Sequence, residues 1–394
     1  MSNADQVTHA TPKRKSKRRG LGIALVMTVL LVEVVLRLVP IPALSYDELV
    51  ARYHAPEQAM YVPHPYLAYT LNPGYESPES SRRKVSINSA GFRGPEVPFE
   101  KPAGELRIAC FGGSSTFGAG PSHNSKTWPL QVERLLRERF PDRAIRVLNF
   151  GTPSWTSFES QTCLAIRALA YDPDIVLVYH AVNDTWSALG PDPQPDNRHT
   201  RRVWPEERKH PIDGALEWSM AYRIWRRYLS GDDFDRRKIH TYIDVDVAAL
   251  NVEPPYAERG FDNFRRNLTS MIAVSRAHGA TPVLMTQASR PVDENDMPLL
   301  SNERPGRDPA RFKIFQGIVH AMQDRTLPIV EEVAIAEDVP LIRVREHMEA
   351  TARTRMANGT MDRLYTDMVH VNNTGALLIA MYVAEQLVEL GLVD

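Results

Sequence analysis

The sequence predicts an α/β fold in which a five-stranded parallel sheet carries helices on both faces and follows one apolar N-terminal segment. Three observations lead there. Short apolar runs at Leu106 to Phe111, Ile145 to Phe150, Asp174 to Tyr179, Pro282 to Thr286 and Pro340 to Val344 have the length and residue types of buried strands. Helical periodicity fills much of the intervening chain, at Pro129 to Arg139, Phe158 to Leu169, Phe261 to His278, Ile314 to Ala336 and Gly375 to Leu390. Strands that alternate with helices in one direction make a parallel sheet covered on both sides. Finally, the first run ends in Gly112-Gly113-Ser114, a sharp exit that puts a hydroxyl at the carboxyl end of a buried strand, where open α/β sheets present reactive groups.

The chain of 394 residues is 43% hydrophobic and 24% charged, an ordinary globular composition with enough apolar residues for a large core. Its net charge of -1 is unevenly spread. Lys13, Arg14, Lys15, Lys17, Arg18, Arg19 and Arg37 face only Asp5 and Glu33 in the first 44 residues, so the body is mildly acidic. That balance argues against nucleic acid as a partner. Cys110 and Cys163 are the only cysteines, which excludes a disulfide framework and a zinc cluster, and the pair reads as two buried free thiols. His123, His180 and His370 are dispersed, so no metal site is expected, and His180 reads as a strand-end residue behind the site.

Taken in order, residues 1–20 form a polar tail that ends in the basic cluster. Residues 21–41 are apolar apart from Glu33 and Arg37, and are long enough to span a bilayer. Those two are four apart and share a helix face, where they can partly neutralise each other. The basic cluster on the amino side predicts a cytoplasmic N-terminus and an extracytoplasmic body. A cleaved signal peptide is the alternative, since Ala43-Leu44-Ser45 has small residues at suitable places. The run exceeds a usual signal core and carries charge, so a retained anchor is the reading.

Residues 42–104 are rich in Pro, Tyr and Ser, which excludes long helices and suggests an extracytoplasmic spacer. Within it Val85 to Asn88 alternates like a short strand, and Gly91 to Gly94 reads as a turn that presents Phe92 and Arg93. Residues 105–394 form the main domain, interrupted by an insertion at 185–258. That insertion holds Trp186, Trp204, Trp218 and Trp225, four of the six tryptophans, and a helix is expected from Ala215 to Leu229. A loop this long in a compact domain is usually functional or disordered, and this one, with its expected helix, reads as a lid or substrate wall. On a helix, Trp218, Tyr222, Trp225 and Leu229 fall near one face that could touch a bilayer.

Phosphate-binding readings of the Gly-rich turn fail on spacing, because no Lys follows it and its glycines miss the dinucleotide pattern. The nucleophile elbow of α/β-hydrolases fails as well, since Thr116 stands where its second Gly is needed. The other strand ends carry Asn149-Phe150-Gly151 and Ala181-Val182-Asn183-Asp184, and Asp367-Met368-Val369-His370 precedes the last helix. Each alone is a common accident of capping or turning. Together they supply what acyl transfer through serine requires: Ser114 as nucleophile, His370 as its base and Asp367 to orient the imidazole. The N–H groups of Ser114 and Gly151 and the amide of Asn183 would form an oxyanion hole.

These four blocks resemble those of the SGNH (GDSL-type) hydrolase superfamily. Its Ser, Gly, Asn and His match Ser114, Gly151, Asn183 and His370 in order, and its Asp matches Asp367. The resemblance implies a flavodoxin-like three-layer α/β/α fold over Leu106 to Asp394, outside the insertion, and ester hydrolysis or O-deacylation without a cofactor. Membrane-anchored relatives look similar in the Gly-Gly-Ser turn and in Asn88 to Arg93. Two positions depart from the pattern: Gly113 replaces the usual Asp of Gly-Asp-Ser, and Ala181 the usual Gly two residues before Asn. The expected activity is that of a membrane-anchored serine esterase acting on acyl esters of a surface glycan or glycoconjugate. Trp155, Trp186 and Arg93 are the candidate substrate contacts. An O-acyltransferase using the same acyl-enzyme, and a non-catalytic envelope binding protein of the same fold, are the alternatives. Oligomeric state is not legible.

Overall fold

The computed structural model describes residues 14–39, 45, 48, 59–200, 211–228, 249–291, 309–358 and 363–393. The residues before Arg14, Ala43-Leu44 and Trp204 lie outside this range. In chain order the elements are helix α1 (Arg14–Leu38), a small hairpin of β1 (Tyr61–Val62) and β2 (Thr70–Leu71), strand β3 (Leu106–Gly112) and the single turn α2 (Ser114–Phe117). Helix α3 (Trp128–Arg139), β4 (Ile145–Asn149), α4 (Ser157–Ile166), β5 (Ile175–Tyr179) and α5 (Val182–Ala188) follow. Two short helices, α6 (Pro211–Leu216) and α7 (Met220–Tyr228), precede α8 (Glu258–Ala277) and β6 (Thr281–Met285). The chain ends with α9 (Pro309–Ala321), α10 (Leu327–Ala336), β7 (Leu341–Ile342), α11 (Val344–Ala357) and α12 (Asn373–Glu389).

Strands β3 to β7 form one parallel sheet in the order β4-β3-β5-β6-β7. Numbering these strands from β3, that is 2-1-3-4-5, the flavodoxin-like order, whose switch point falls between β3 and β5. Every residue of β3 and β5 is buried, which explains why both read as continuous apolar runs instead of alternating ones. Alternate residues still divide between the faces. Ile108, Cys110, Leu177, Tyr179, Val283 and Met285 join one core cluster with Trp128 and Val132 of α3, Val344 and Met348 of α11, and Ile379 and Val383 of α12. Helices α4, α8 and α10 pack together on the other side, and α8 and α10 also meet β6. Both cysteines are buried and free.

Several boundaries differ from the expected ones for identifiable reasons. The single helix expected from Ile314 to Ala336 is divided by a π-helical turn, Met322–Thr326, just before Pro328, which has no N–H to give the ladder. Strand β7 is only two residues long, and α11, not anticipated, follows at once. Its Val344, Met348 and Ala352 are buried at a spacing of four, the apolar stripe that ties an otherwise charged helix to the core. The helix expected over Ala215 to Leu229 breaks at Glu217 to Ser219, where Ser219 Oγ accepts the Tyr222 N–H at 3.3 Å.

Two compact units are present: Met1–Tyr53 with Val203–Ile239, and His54–Arg202 with His240–Asp394. In the second, residues 59–104 are built into the body and do not stand off as a spacer. Arg167 donates to Thr70 Oγ1 and to the Ala90 carbonyl at 2.7 Å each, and Asn88 and Arg93 hold the turn between them in place. The Arg107 side chain, 0% exposed, pairs with Glu105 at 2.7 Å and donates to the carbonyls of Pro98, Phe99, Glu100 and Tyr171. One guanidinium thereby fastens the Pro-rich segment to the start of the sheet. Substituting Arg107→Met leaves those carbonyls and Glu105 without their donor in a dry site, and the expected cost is roughly 3–5 kcal/mol. The urea midpoint of the full chain measures it; an unchanged midpoint would mean that the cluster is hydrated.

Candidate active site

Residues Phe111 to Gly118 are buried except for Ser114, which is half-buried at the first position of α2, just beyond the end of β3. The hydroxyl is therefore the one side chain of that turn within reach of a substrate. His370 Nε2 lies 2.6 Å from Ser114 Oγ, and His370 Nδ1 lies 2.7 Å from Asp367 Oδ2. The other oxygen of Asp367 accepts the N–H groups of Val369 at 3.0 Å and His370 at 2.9 Å. A carboxylate that caps its own loop in this way is fixed before it meets the imidazole, and the hydrogen bond it accepts from Nδ1–H keeps the proton on that nitrogen and leaves Nε2 free to act as a base. Residues 256 apart in sequence thus form one hydrogen-bonded series.

The loop that carries His370 is pinned from several directions. Tyr365 and Val371 form an isolated bridge, the Thr366 N–H donates to the His370 carbonyl at 2.7 Å, and Asn372 caps α12 by accepting the Gly375 N–H at 3.0 Å. The Arg290 N–H donates to the Met368 carbonyl at 2.7 Å, and Ser115 Oγ to the Val369 carbonyl at 3.4 Å. Gln287, two residues past β6, accepts the Val182 N–H at 2.9 Å and donates to Ser115 Oγ at 3.0 Å. It joins the nucleophile turn to the Asn183 turn across the switch point. Sequence reading missed Gln287 and Arg290, although both follow the carboxyl end of a strand, the rule that singled out the other blocks.

The three expected oxyanion donors differ in their availability. The Ser114 N–H opens a helical turn and has no acceptor within it. Asn183 Nδ2 donates one N–H to the Trp155 carbonyl at 2.8 Å, which aims the amide and leaves its second N–H. The Gly151 N–H donates to Asn149 Oδ1 at 3.0 Å and is engaged in this structure. Gly151 is needed for close packing: a Cβ there would stand 2.3 Å from the Phe117 nitrogen. Its missing side chain admits the Ser114–Phe117 turn.

The candidate substrate contacts are placed differently from what was expected. Arg93 is fully buried, with Nε on Asn124 Oδ1 at 2.7 Å and Nη1 on the carbonyls of Phe117 and Gly118 at 3.1 and 2.6 Å. It closes the C-terminal end of α2 and does not face a substrate; burial lowers its pKa to about 10, still far above neutral pH. Trp155 is 1% exposed, tilted against Tyr69, and presents no open ring face. Trp186 is partly exposed and packs edge-on against Phe315 at 5.5 Å. His180 lies behind the site, as expected, with Nε2 2.7 Å from Ser160 Oγ.

A half-buried serine at a switch point, in series with a histidine and a carboxylate, is the arrangement of a serine hydrolase. Residues 110–378 match the GDSL-like lipase/acylhydrolase family, and the chain belongs to that family and is a serine ester hydrolase. No curated protein matches the sequence. Among solved structures it is similar to the lipase/acylhydrolase of Enterococcus faecalis, at 18% identity and a TM-score of 0.38, over 72% of this chain and 95% of that one. It is also similar to the acetylxylan esterase Axe2 of Geobacillus stearothermophilus, at 16% identity and a TM-score of 0.37, over 71% and 93% of the two chains. A two-domain esterase active on acetylated mannans matches at 14% identity and a TM-score of 0.40, over 73% of this chain and 50% of that one.

The departure at Gly113 has a geometric cause. A Cβ there would lie 2.3 Å from Asn183 Nδ2 and 3.2 Å from the Trp155 carbonyl, so the amide occupies the space that a side chain would need. Gly113→Ala, or restoration of Asp, is expected to push Asn183 aside and lower kcat by about 10²–10³-fold, the cost of one oxyanion donor. Steady-state hydrolysis of an acetyl ester measures it, and an unchanged kcat would remove Asn183 from the site.

Burial by itself would raise the Asp367 carboxyl. The hydrogen bond and charge of His370, with the N–H groups of Val369 and His370, outweigh it and hold the carboxyl below its ordinary 3.8. A depressed folded value makes the ionised carboxyl stabilising above the ordinary carboxylate range, and that contribution is lost as pH falls through the folded value. In an NMR titration, Asp367 is expected to titrate below 3.8 and to move upward in His370→Ala. A value indifferent to His370 would show that the pair is not formed in solution.

Proposed function

We propose that this serine ester hydrolase is anchored in a membrane by α1, with its body on the side opposite the basic N-terminus, and removes O-acyl groups, above all acetyl, from a surface glycan or glycoconjugate. The observation that carries the chemistry is the Ser114–His370–Asp367 series, at 2.6 and 2.7 Å. Ser114 Oγ attacks the ester carbonyl while His370 Nε2 takes its proton, and Asp367 steadies the imidazolium that forms. The Ser114 N–H and the Asn183 amide receive the developing oxyanion, joined by the Gly151 N–H once it turns from Asn149. His370 then protonates the departing alcohol, and water enters by the reverse route to release the acid.

The helix that supports the anchor holds 19 apolar-rich residues from Gly20 to Leu38, about 28 Å of helix and enough for a bilayer core. The basic residues on its amino side favour a cytoplasmic N-terminus.

The test is labelling of the full chain in detergent with a fluorophosphonate probe, beside acetate release from an acetylated polysaccharide. Both signals are expected in the wild type. Ser114→Ala should abolish labelling and reduce release by about 10⁶-fold, to background. Labelling that survives this substitution would move the nucleophile elsewhere.

A further inference from the structure

Glu33 is an acidic residue inside the apolar stretch of α1, and its carboxylate does more than pair with Arg37 at 3.1 Å. It also accepts the Met220 N–H at 2.6 Å, the Ala221 N–H at 3.3 Å and Ser219 Oγ at 2.9 Å. The two N–H groups are the first donors of α7, which no residue of that helix can satisfy, and Ser219 stands just before it. Arg37 reaches the Trp218 carbonyl in turn. A residue of the apolar helix therefore caps a helix from about 190 residues later in the chain, within one compact unit.

The position of the cap sets a level. Glu33 precedes Leu38, the end of the apolar stretch, by five residues, or about 7 Å along the axis. Amphipathic helices that lie in a membrane interface bury their apolar face about 5–10 Å deep. The surface that α6 and α7 offer at this level is apolar and open: Ile212, Leu216, Trp218 and Trp225 are 48%, 41%, 56% and 50% exposed. Tryptophan side chains concentrate at that depth.

We propose that α6 and α7 form a second membrane contact, an interfacial module clamped to α1 through Glu33 and seated in the phospholipid headgroup and upper acyl region of the bilayer that α1 spans. This rests on the anchor reading above. The Pro211–Tyr228 segment is then neither a lid nor a sugar platform: its exposed tryptophans are immersed in lipid.

The full chain, reconstituted in phosphatidylcholine and phosphatidylglycerol vesicles, gives the test. Helix α1 contains no tryptophan, so quenching of tryptophan emission by brominated lipids reports the rest of the chain. In the wild type, lipids brominated near the carboxyl end of the acyl chain are expected to quench more strongly than those brominated near the methyl end. That lipid-dependent loss should vanish in the double variant Trp218→Phe, Trp225→Phe, whose rings are exposed and can be changed without opening a core. Stronger quenching from the deep position, no quenching, or equal quenching in the variant would each overturn the module. Sedimentation with vesicles after alkaline carbonate washing is read separately: a chain that washes off overturns the anchor, whereas one that stays without quenching overturns only the proposed contact.

Discussion

Everything else in the site depends on the 2.6 Å approach of His370 Nε2 to Ser114 Oγ. A hydrogen bond of that length tolerates little displacement, so both partners must be held by structure that does not yield. Ser114 inherits its position from β3, a strand flanked on both sides by parallel partners and buried at every residue. His370 has no strand beneath it. Its place comes from a short loop fixed by the Asp367 carboxylate, by the Asn372 cap and by backbone bonds to Thr366 and Arg290. The side chain that orients the imidazole also shapes the loop that presents it, so the local fold and the chemistry share one residue.

Much of this could be read from the chain because the sheet is buried on both faces. A parallel strand between two helical layers must be apolar throughout, and the five runs were visible for that reason. The Ser, Gly and Asn blocks were visible because they stand just past the carboxyl ends of such runs, and the His block because it comes just before the last helix. Residues whose work is to satisfy buried carbonyls were not legible. Arg93 looked like an exposed turn residue, and nothing local in Gly-Phe-Arg-Gly says that its guanidinium will reach Phe117 and Gly118. Trp155 looked like a ring beside the Gly151 turn, yet its backbone carbonyl, not its ring, is what meets Asn183. The same is true of Gln287, whose two partners come from segments separated from it by 105 and 172 residues.

Gly113 answers to a steric constraint at the residue before Ser114. In this chain the space beside Gly113 is filled by the Asn183 amide, itself held by the Trp155 carbonyl. Ala181 fits the same arrangement. It is fully buried, and its carbonyl accepts both the N–H and the hydroxyl of Thr185, which ties it to the first turn of α5.

A second serine, histidine and aspartate meet in the same molecule, which shows how little residue type decides. Ser160 Oγ lies 2.7 Å from His180 Nε2, and His180 Nδ1 lies 3.4 Å from Asp184. All three are buried, at 0%, 2% and 4% exposure, so no ester can reach the hydroxyl. Asp184 is also committed elsewhere, accepting the Ser157 N–H at 3.0 Å and the Ser157 hydroxyl at 2.6 Å, which anchors the first turn of α4 against α5. One set of these residue types braces two helices in the interior, and the other ends at a strand terminus with its hydroxyl half open. The difference lies in the sheet. Ser114 stands just beyond the carboxyl end of a central strand, held by the sheet and still open to a substrate, whereas Ser160 lies inside α4.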